Sequence, residues 1–299
     1  MEQRYNKLNE FLKNKFGERT LKICIDGGFT CPNRDGAKGK LGCIFCSEKG
    51  SGDHINKTNI TEQINNYFSS YKSQRANKFI AYFQNFSNTY DSLENLKLKY
   101  DSALIDERIV SLAVATRPDC INEDIVKLLK SYTDKYYVWV ELGLQTSDEK
   151  TANIINRHYT NEQFSKAVRL LNKYNIDVVT HIMVGLPNET KTDLENTVSF
   201  INKHDVQGLK IHSTYVVENT VLADMYKKGK YIPISLEDYI NSVIYILTHI
   251  NPNIIIHRIS GDAPKNLLLA PSWNSHKKLV LNGVNKIMEE KKLWQGMYY

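Results

Sequence analysis

Short apolar segments rich in β-branched residues alternate with longer amphipathic segments along most of the chain. The apolar segments predict six β-strands, at residues 21–26, 78–84, 108–116, 136–144, 177–186 and 208–216. Helical periodicity predicts helices between and after them, near residues 59–74, 91–105, 122–132, 160–174, 190–204 and 235–249. Strands that each lead into a helix favour an α/β fold with a parallel sheet and right-handed crossovers, either open or curled into part of a barrel.

Three of the predicted strands have one apolar face and one face that carries polar residues. In "VWVELG", Val138, Val140 and Leu142 share a face, because successive side chains of a strand alternate between faces. The other faces hold Glu141, then His181 with Met183, and Lys210 with His212. A packed barrel interior would not tolerate unpaired charges. A wide barrel that is lined for a polar ligand would tolerate them. The alternative interpretation of these residues is that each polar side chain reaches solvent near the end of its strand.

Length and composition set the domain organisation. The chain has 299 residues, of which 41% are hydrophobic and 24% charged, as in an ordinary folded protein. No linker rich in glycine and proline divides it, so we expect one α/β domain over residues 1–230, with residues 231–299 as an extension packed against it. No apolar run is long enough to span a bilayer, and the charged N-terminus lacks the apolar region of a signal peptide. We therefore expect a cytoplasmic protein without a membrane partner.

The net charge of +6 permits an anionic partner without requiring one. Segments such as "YKSQRANK" and "MYKKGKY" mix Lys and Arg with aromatic residues, which suits a phosphate-bearing ligand. Solvated lysines on amphipathic helices are the other interpretation of these segments.

Three of the five cysteines lie in one segment, "CPNRDGAKGKLGCIFC", as Cys31, Cys43 and Cys46. In a reducing compartment they are better explained as ligands than as disulfides. A structural zinc site needs four ligands, and His54 or Cys24 could supply the fourth. A cubane iron–sulfur cluster also takes four cysteines as a rule. Three cysteines are sufficient if a small molecule binds the remaining iron.

The cysteine segment and the motifs that follow it resemble the radical S-adenosylmethionine (SAM) enzymes. The eleven residues between the first two cysteines depart from that family's usual Cys-x3-Cys-x2-Cys spacing. The longer gap is similar to that of the YtqA/YhcC-type branch, and so are "ATRPDC", "ELGLQT", "NRHYT", "HIMVGLPNET" and "HRISGDAP". That branch is similar in turn to the radical subunit of Elongator. The resemblance covers about residues 15–275 and implies a partial (β/α)6 barrel with a C-terminal extension.

The resemblance also implies the cofactors and the residues that bind them. Cys31, Cys43 and Cys46 would hold a [4Fe–4S] cluster, with the amino and carboxylate groups of SAM on its open iron. Cys24 and Cys120 are expected to be core thiols.

Five further residues take cofactor roles by their place in the motifs. Phe45 would approach the adenine of SAM, and the backbone around Met183 would frame it. Glu141 would accept hydrogen bonds from the ribose, and Arg157 would pair with the SAM carboxylate. Gln84 ends the second strand, where "QNFSNTY" replaces the family's glycine-rich segment for the methionyl amine.

The activity implied is hydrogen abstraction by a 5′-deoxyadenosyl radical. In this branch the resemblance points to the tRNA wobble uridine, whose 5-carboxymethylaminomethyl group would be converted to 5-aminomethyl. The implied partners are tRNA, an electron donor such as flavodoxin or ferredoxin, and a methyltransferase that acts on the product. One alternative is a radical SAM enzyme for a free metabolite such as a tetrapyrrole. The other is a non-catalytic, metal-stabilised RNA-binding protein.

Lys210 and His212 are the expected substrate contacts. They occupy alternate positions of the sixth strand, and at least one of them is expected to meet an anionic group of the substrate. His181 on the neighbouring strand would assist proton transfer. The alternative is that Lys210 pairs with an internal acid such as Glu141 or Asp262.

Overall fold

The computed structural model describes residues 3–50, 58–261 and 263–299. Its strands in chain order are β1 Thr20–Ile25, β2 Lys78–Phe83, β3 Ile109–Thr116, β4 Tyr137–Gln145, β5 Asp177–Val184, β6 Gly208–Ser213, β7 Val216–Val217, β8 Ile255–Arg258 and β9 Leu268–Ala270. Its α-helices are α1 Leu8–Phe16, α2 Ile60–Ser69, α3 Leu93–Ala103, α4 Glu123–Lys130, α5 Glu149–Ile154, α6 Asn161–Lys173, α7 Lys191–Asn202, α8 Val221–Lys227, α9 Leu236–His249 and α10 Lys277–Glu290. All six predicted strands and all six predicted helices are present, with ends that differ by a few residues.

Seven strands form one parallel sheet in the order β1-β2-β3-β4-β5-β6-β8. Each strand pairs with the next strand added along the chain, so the crossovers all turn in one direction and the sheet curls into a half-barrel. This confirms the predicted α/β partial barrel. The seventh strand comes from residues 255–258, inside the predicted C-terminal extension, whereas the domain boundary near residue 230 stays a prediction.

The two faces of the sheet carry different cores. The outer face and the helices that cover it share one large apolar cluster, which includes Val138, Val140 and Leu142. The inner face carries a smaller cluster at its amino-terminal end, where Leu8 and Leu12 of α1 pack on Trp139 and its neighbours. Helix α1 therefore closes the amino-terminal end of the half-barrel, and the polar side chains of the inner face lie between α1 and the carboxyl ends of the strands.

Helix α1 was not expected from the sequence pattern, and α5, α8, α10 and the last three strands were also missed. Helix α1 contacts both edge strands of the sheet, β1 and β8, and Lys7, just before the helix, forms a parallel bridge with Ile256. No helix among the described residues is long and apolar enough to cross a lipid bilayer.

Candidate active site

A cavity of about 590 Å³ lies on the inner face of the half-barrel. This volume is within the range of small-molecule and cofactor sites. Side chains from all seven strands of the sheet line it, and the segment after β1 lines its carboxyl end. Ten of the eleven predicted site residues line this cavity: Cys31, Cys43, Cys46, Phe45, Gln84, Glu141, His181, Met183, Lys210 and His212.

The three cysteines lie together at the carboxyl end of the cavity, and none of them forms a disulfide. Tight turns follow two of them, because the Arg34 N–H donates to the Cys31 carbonyl at 2.8 Å and the Cys46 N–H to the Cys43 carbonyl at 3.0 Å. The Arg34 guanidinium then donates to the Cys46 carbonyl at 2.8 Å. Gly42 has a φ of +72°, and a Cβ there would lie 2.8 Å from the Arg34 Nε. Gly42 is therefore required for the guanidinium to reach the cysteine turn.

A buried asparagine ties the cysteine segment to the loop after α5. Asn33 is fully buried, and its amide donates to the Asn156 carbonyl at 2.6 Å and lies 3.6 Å from the Cys43 sulfur. The Asn156 amide donates back to the Gly42 carbonyl at 2.7 Å. Ser87 brings a hydroxyl to 4.0 Å from the Cys31 sulfur. Two of the three sulfurs thus have side-chain donors beside them.

The donor set fits an iron–sulfur cluster better than a single ion. Among the described residues no group of three or more His, Cys, Asp or Glu side chains is arranged to hold one metal ion. Each cysteine of a cubane binds a different iron, so its ligands lie farther apart than those of a single zinc. Burial first, and then the neighbouring Cys46, raises the pKa of Cys43 to about 12. Clustered thiolates therefore need a bound cationic centre.

Cys24 and Cys120 lie outside the cysteine segment. Cys24 also lines the cavity, but it lies on β1, where burial raises its thiol pKa. Cys120 is buried in a short 3-10 helix after β3 and is not among the cavity-lining residues. His54 lies outside the described residues.

Glu141 is the centre of a buried hydrogen-bond network in the middle of the cavity. One carboxylate oxygen, Oε2, accepts from the Tyr82 hydroxyl at 2.7 Å, from His181 Nε2 at 2.8 Å and from the Lys210 ammonium. The other, Oε1, accepts from Trp139 Nε1 at 3.0 Å and lies 3.5 Å from the Lys22 ammonium.

These donors bear on the expected role of Glu141 as a ribose contact, which stays a prediction. Burial would raise the pKa of its carboxyl, but Lys210 and Lys22 hold it well below the usual range. A carboxylate has about four acceptor positions, and five protein donors approach this one. A ribose hydroxyl could bind only by displacing one of them. The geometry therefore favours Glu141 as the internal partner of the cavity's cations over the predicted ribose contact.

Lys210 is paired with an internal acid, which is the alternative considered for it in the sequence analysis. Its ammonium is buried, binds Glu141 and donates to the Tyr82 hydroxyl at 2.9 Å. Burial lowers the pKa of Lys210 to about 7, although Glu141 opposes the shift. Asp262, the other acid considered, lies outside the described residues.

His181 and His212 lie next to one another, with ring centroids 5.2 Å apart. Burial, and then the charge of Lys210, lowers the pKa of His181 to about 4, so its neutral ring donates Nε2–H to Glu141. Burial also lowers the pKa of His212 well below its usual value. The His212 Nε2 is buried and has no hydrogen-bond partner among the described residues. It is therefore available to a ligand in the cavity.

Arg157 is fully buried and does not line the cavity, and its predicted pairing with the SAM carboxylate stays a prediction. All five of its N–H groups have protein acceptors: the Tyr159, Leu144 and Thr146 carbonyls and the Glu149 and Asn161 side chains. The guanidinium thus joins the end of β4 to the loop before α6. The predicted pair with the SAM carboxylate would require this network to open.

Phe45 and Met183 contribute an apolar patch near the cysteines, where they pack with Ile44 and Leu186. Gln84 follows β2, and its backbone N–H donates to the Ile25 carbonyl at 3.4 Å. The sequence reasoning missed several residues that line the same cavity: Lys22, Arg34, Tyr82, Arg117 and Gln145. Gln145 is the last residue of β4, and its place at the carboxyl end of a parallel strand was the available signal.

Family models match two parts of the chain. The model described as the Radical SAM superfamily matches residues 35–201, and the Radical_SAM C-terminal domain matches residues 206–290. The chain belongs to the radical SAM superfamily. Members of this family use a [4Fe–4S] cluster and SAM. The cysteine segment and the cavity stay the predicted place for both cofactors.

Two relatives extend the match to nearly the whole chain. The uncharacterized protein YtqA of Bacillus subtilis is 40% identical over 100% of this chain and 94% of its own length. Protein YhcC of Escherichia coli is 35% identical over 88% of this chain and 85% of its own length. The expected YtqA/YhcC-type branch is confirmed.

Two further matches cover smaller shares of the proteins matched. The tRNA uridine(34) acetyltransferase of Dehalococcoides mccartyi is 29% identical over 67% of this chain, which is 42% of that protein. The solved structure of Elp3 from Methanocaldococcus infernus has a TM-score of 0.72, with 19% identity over 92% of this chain and 64% of that one. At that identity the structural likeness concerns the fold alone. The relation of this branch to Elongator is thereby confirmed at the level of family.

Proposed function

We propose that this radical SAM protein modifies the wobble uridine of tRNA, converting its 5-carboxymethylaminomethyl group to 5-aminomethyl. The observation that carries the proposal is the similarity, over 67% of this chain, to an enzyme named for its action on uridine 34 of tRNA. The net charge of +6 supports a polyanionic substrate. The cavity on the inner face supports a flipped-out nucleotide, because its walls combine apolar surface with polar side chains such as Lys210 and His212 and its volume is about 590 Å³.

The proposed cluster ligands are Cys31, Cys43 and Cys46. When bound, the cluster and SAM supply hydrogen-atom abstraction from an unactivated carbon. Phe45 and Met183 offer an apolar surface for the adenine, and Gln84 offers an amide to the polar end of SAM. The half-barrel and α1 shield the reacting groups from bulk water, which protects a reactive intermediate.

The proposed substrate residues lie deeper in the cavity. His212 offers the unpartnered Nε2 to a substrate hydrogen bond. Lys210, held by Glu141, places a positive charge beside that nitrogen, and either of the two would meet an anionic substrate group. His181 donates its Nε2–H to the Glu141 carboxylate, which fixes the tautomer of the neutral ring and leaves Nδ1 as the proton acceptor through which His181 would assist proton transfer.

The same proposal includes two protein partners. A flavodoxin or ferredoxin would reduce the cluster, and a methyltransferase would complete the 5-aminomethyl product.

The test is nucleoside mass spectrometry of tRNA from a strain that lacks the gene. The expected result is accumulation of 5-carboxymethylaminomethyluridine with loss of the aminomethyl nucleoside and its methylated product. Complementation with the wild-type gene should restore the profile, and complementation with Cys46→Ala should not. An unchanged nucleoside profile in the deletion strain would overturn the proposal and favour a free metabolite as substrate.

A further inference from the structure

Lys22 is a cavity-lining cation that the sequence motifs did not single out. It lies on β1, one edge of the sheet, and its side chain is 24% exposed, compared with 5% for Lys210. Its ammonium lies 4.7 Å from the centre of the Tyr82 ring and 3.5 Å from Glu141 Oε1. A lysine ammonium has three N–H donors, and this single long contact occupies one of them.

The charges around Lys22 do not balance. Among the described residues that line the cavity, Glu141 is the only acidic side chain, and the two lysines Lys22 and Lys210 both approach it. The charge of Lys22 lowers the pKa of Lys210. The histidines of this region have lowered pKa values and stay neutral near pH 7. The region therefore has an excess of positive charge in a largely buried space, where an anionic ligand is stabilised.

The position of Lys22 relative to the cysteines matters as well. It lies three residues before the end of β1 at Ile25, and the cysteine segment follows that end. At about 3.3 Å per residue, the Lys22 backbone lies about 10 Å below the end of the strand. The Lys22 ammonium itself lies 3.5 Å from Glu141 Oε1 in the middle of the cavity, so a ligand group held there lies between α1 and the cysteines at the carboxyl end.

We propose that Lys22 anchors the carboxylate of the substrate's carboxymethylamino group. This inference rests on the proposed function, and it adds Lys22, the more exposed of the two lysines that approach Glu141, to Lys210 and His212 as a contact for the anionic substrate group. The methylene next to the carboxylate would then point towards the cysteine end. A phosphate of the nucleic acid is the other anionic group that would bind a lysine here, and the experiments distinguish it from the carboxylate.

The first experiment measures binding, without turnover, on the reconstituted protein. Two anticodon stem-loops are compared by fluorescence anisotropy, one with 5-carboxymethylaminomethyluridine and one with the corresponding carboxamide. Wild-type protein should bind the acid about tenfold more tightly, as expected for a charge-assisted hydrogen bond. Lys22→Met should reduce that ratio to about one, and Lys22→Arg should largely restore it. Lys15→Met, on the outside of α1, is the matched control and should keep the wild-type ratio. Equal affinity of wild-type protein for the two stem-loops would overturn the proposal.

The second experiment does not depend on tRNA. Lysines of the reconstituted protein are labelled by reductive methylation with ¹³C-formaldehyde, and the Lys22 resonance is identified by its loss in Lys22→Met. N-methylglycine should shift this resonance, whereas N-methylglycinamide and methyl phosphate should not. No shift with N-methylglycine, or a shift with methyl phosphate alone, would overturn the carboxylate site. A shift with N-methylglycine in a protein whose deletion leaves tRNA nucleosides unchanged would support the site while the tRNA proposal fails.

Discussion

The Lys210 ammonium binds the Glu141 carboxylate across β5, the strand that separates β6 from β4. Both side chains are buried, and Tyr82 donates to the same carboxylate oxygen at 2.7 Å. The pair thus links three strands of the inner face through one carboxylate. A buried ion pair need not add net stability, but the loss of one partner leaves an uncompensated charge.

We therefore expect Lys210→Met and Glu141→Gln each to lower the free energy of unfolding by about 3–5 kcal/mol. The double variant should lose clearly less than the sum, because neither charge is then left unpaired. Urea denaturation of all four proteins gives the coupling energy. Losses that add to within about 0.5 kcal/mol would show that the two residues do not act as a pair.

The buried histidines predict a loss of stability in mild acid. The folded-state pKa of His181 is about 4, below its ordinary value of about 6.5, so the unfolded chain binds more protons between these values. Stability should therefore fall as the pH falls from about 6.5 towards 4, by up to about 1.4 kcal/mol per pH unit for each such histidine. His212 and His257 shift in the same direction.

The midpoint temperature of unfolding, followed from pH 7 to pH 5, checks this prediction. His181→Asn can still donate a hydrogen bond to Glu141 but cannot be protonated, so its midpoint should fall less steeply than that of the wild-type protein. If the midpoint temperatures of the two proteins fall in parallel with pH, the predicted contribution of His181 between about pH 6.5 and pH 4 is wrong.

Cys31, Cys43 and Cys46 are the predicted ligands of the cluster. Replacement of Cys31, Cys43 or Cys46 by Ala should abolish the iron–sulfur absorption after anaerobic reconstitution. Cys24→Ala and Cys120→Ala should retain it, because one thiol lies on β1 and the other is buried away from the cavity lining. Loss of the cluster in Cys24→Ala with retention in Cys31→Ala would reverse the ligand assignment.

The Asn33 amide, 3.6 Å from the Cys43 sulfur, predicts an effect on the cluster's reduction potential. A donor beside a ligand sulfur stabilises the more negative, reduced cluster. Asn33→Leu should therefore lower the midpoint potential by up to about 59 mV. For one electron this corresponds to about a tenfold change in the reduction equilibrium.

A redox titration followed by electron paramagnetic resonance measures this shift. Ser87→Ala should change the potential less, because its hydroxyl lies 4.0 Å from the Cys31 sulfur. A larger shift in Ser87→Ala than in Asn33→Leu would contradict the role of the amide.

The buried hydrogen bonds of Arg157 predict that its replacement lowers the stability of the fold, and not only the affinity for SAM. Arg157→Lys keeps the charge but cannot reproduce five N–H donors in a planar fork. Its unfolding midpoint should fall by several degrees, since three backbone carbonyls lose their donors. Unchanged thermal stability with SAM affinity reduced by one to two decades, measured by calorimetry, would restore the cofactor role.

Much of the fold could be predicted from the sequence, because periodicity reports which face of each element is buried. The six strands and the helices between them follow directly from that pattern, as does the apolar outer face of β4 that carries Val138, Val140 and Leu142. The cysteine segment was also identified from local information, since three ligands within sixteen residues need no distant partner to be noticed.

The partners of each polar side chain were decided only by the tertiary structure. Glu141, Lys210 and Lys22 lie on different strands, and alternation assigns each to a face without saying which of them meet. Arg157 illustrates the same limit: its motif is visible in the sequence, but its acceptors are mostly backbone carbonyls, which carry no sequence signal. Alternation along the strands determined the face on which Glu141, His181 and Lys210 lie, and the curvature of the sheet decided which charges neutralise one another and which remain for a ligand.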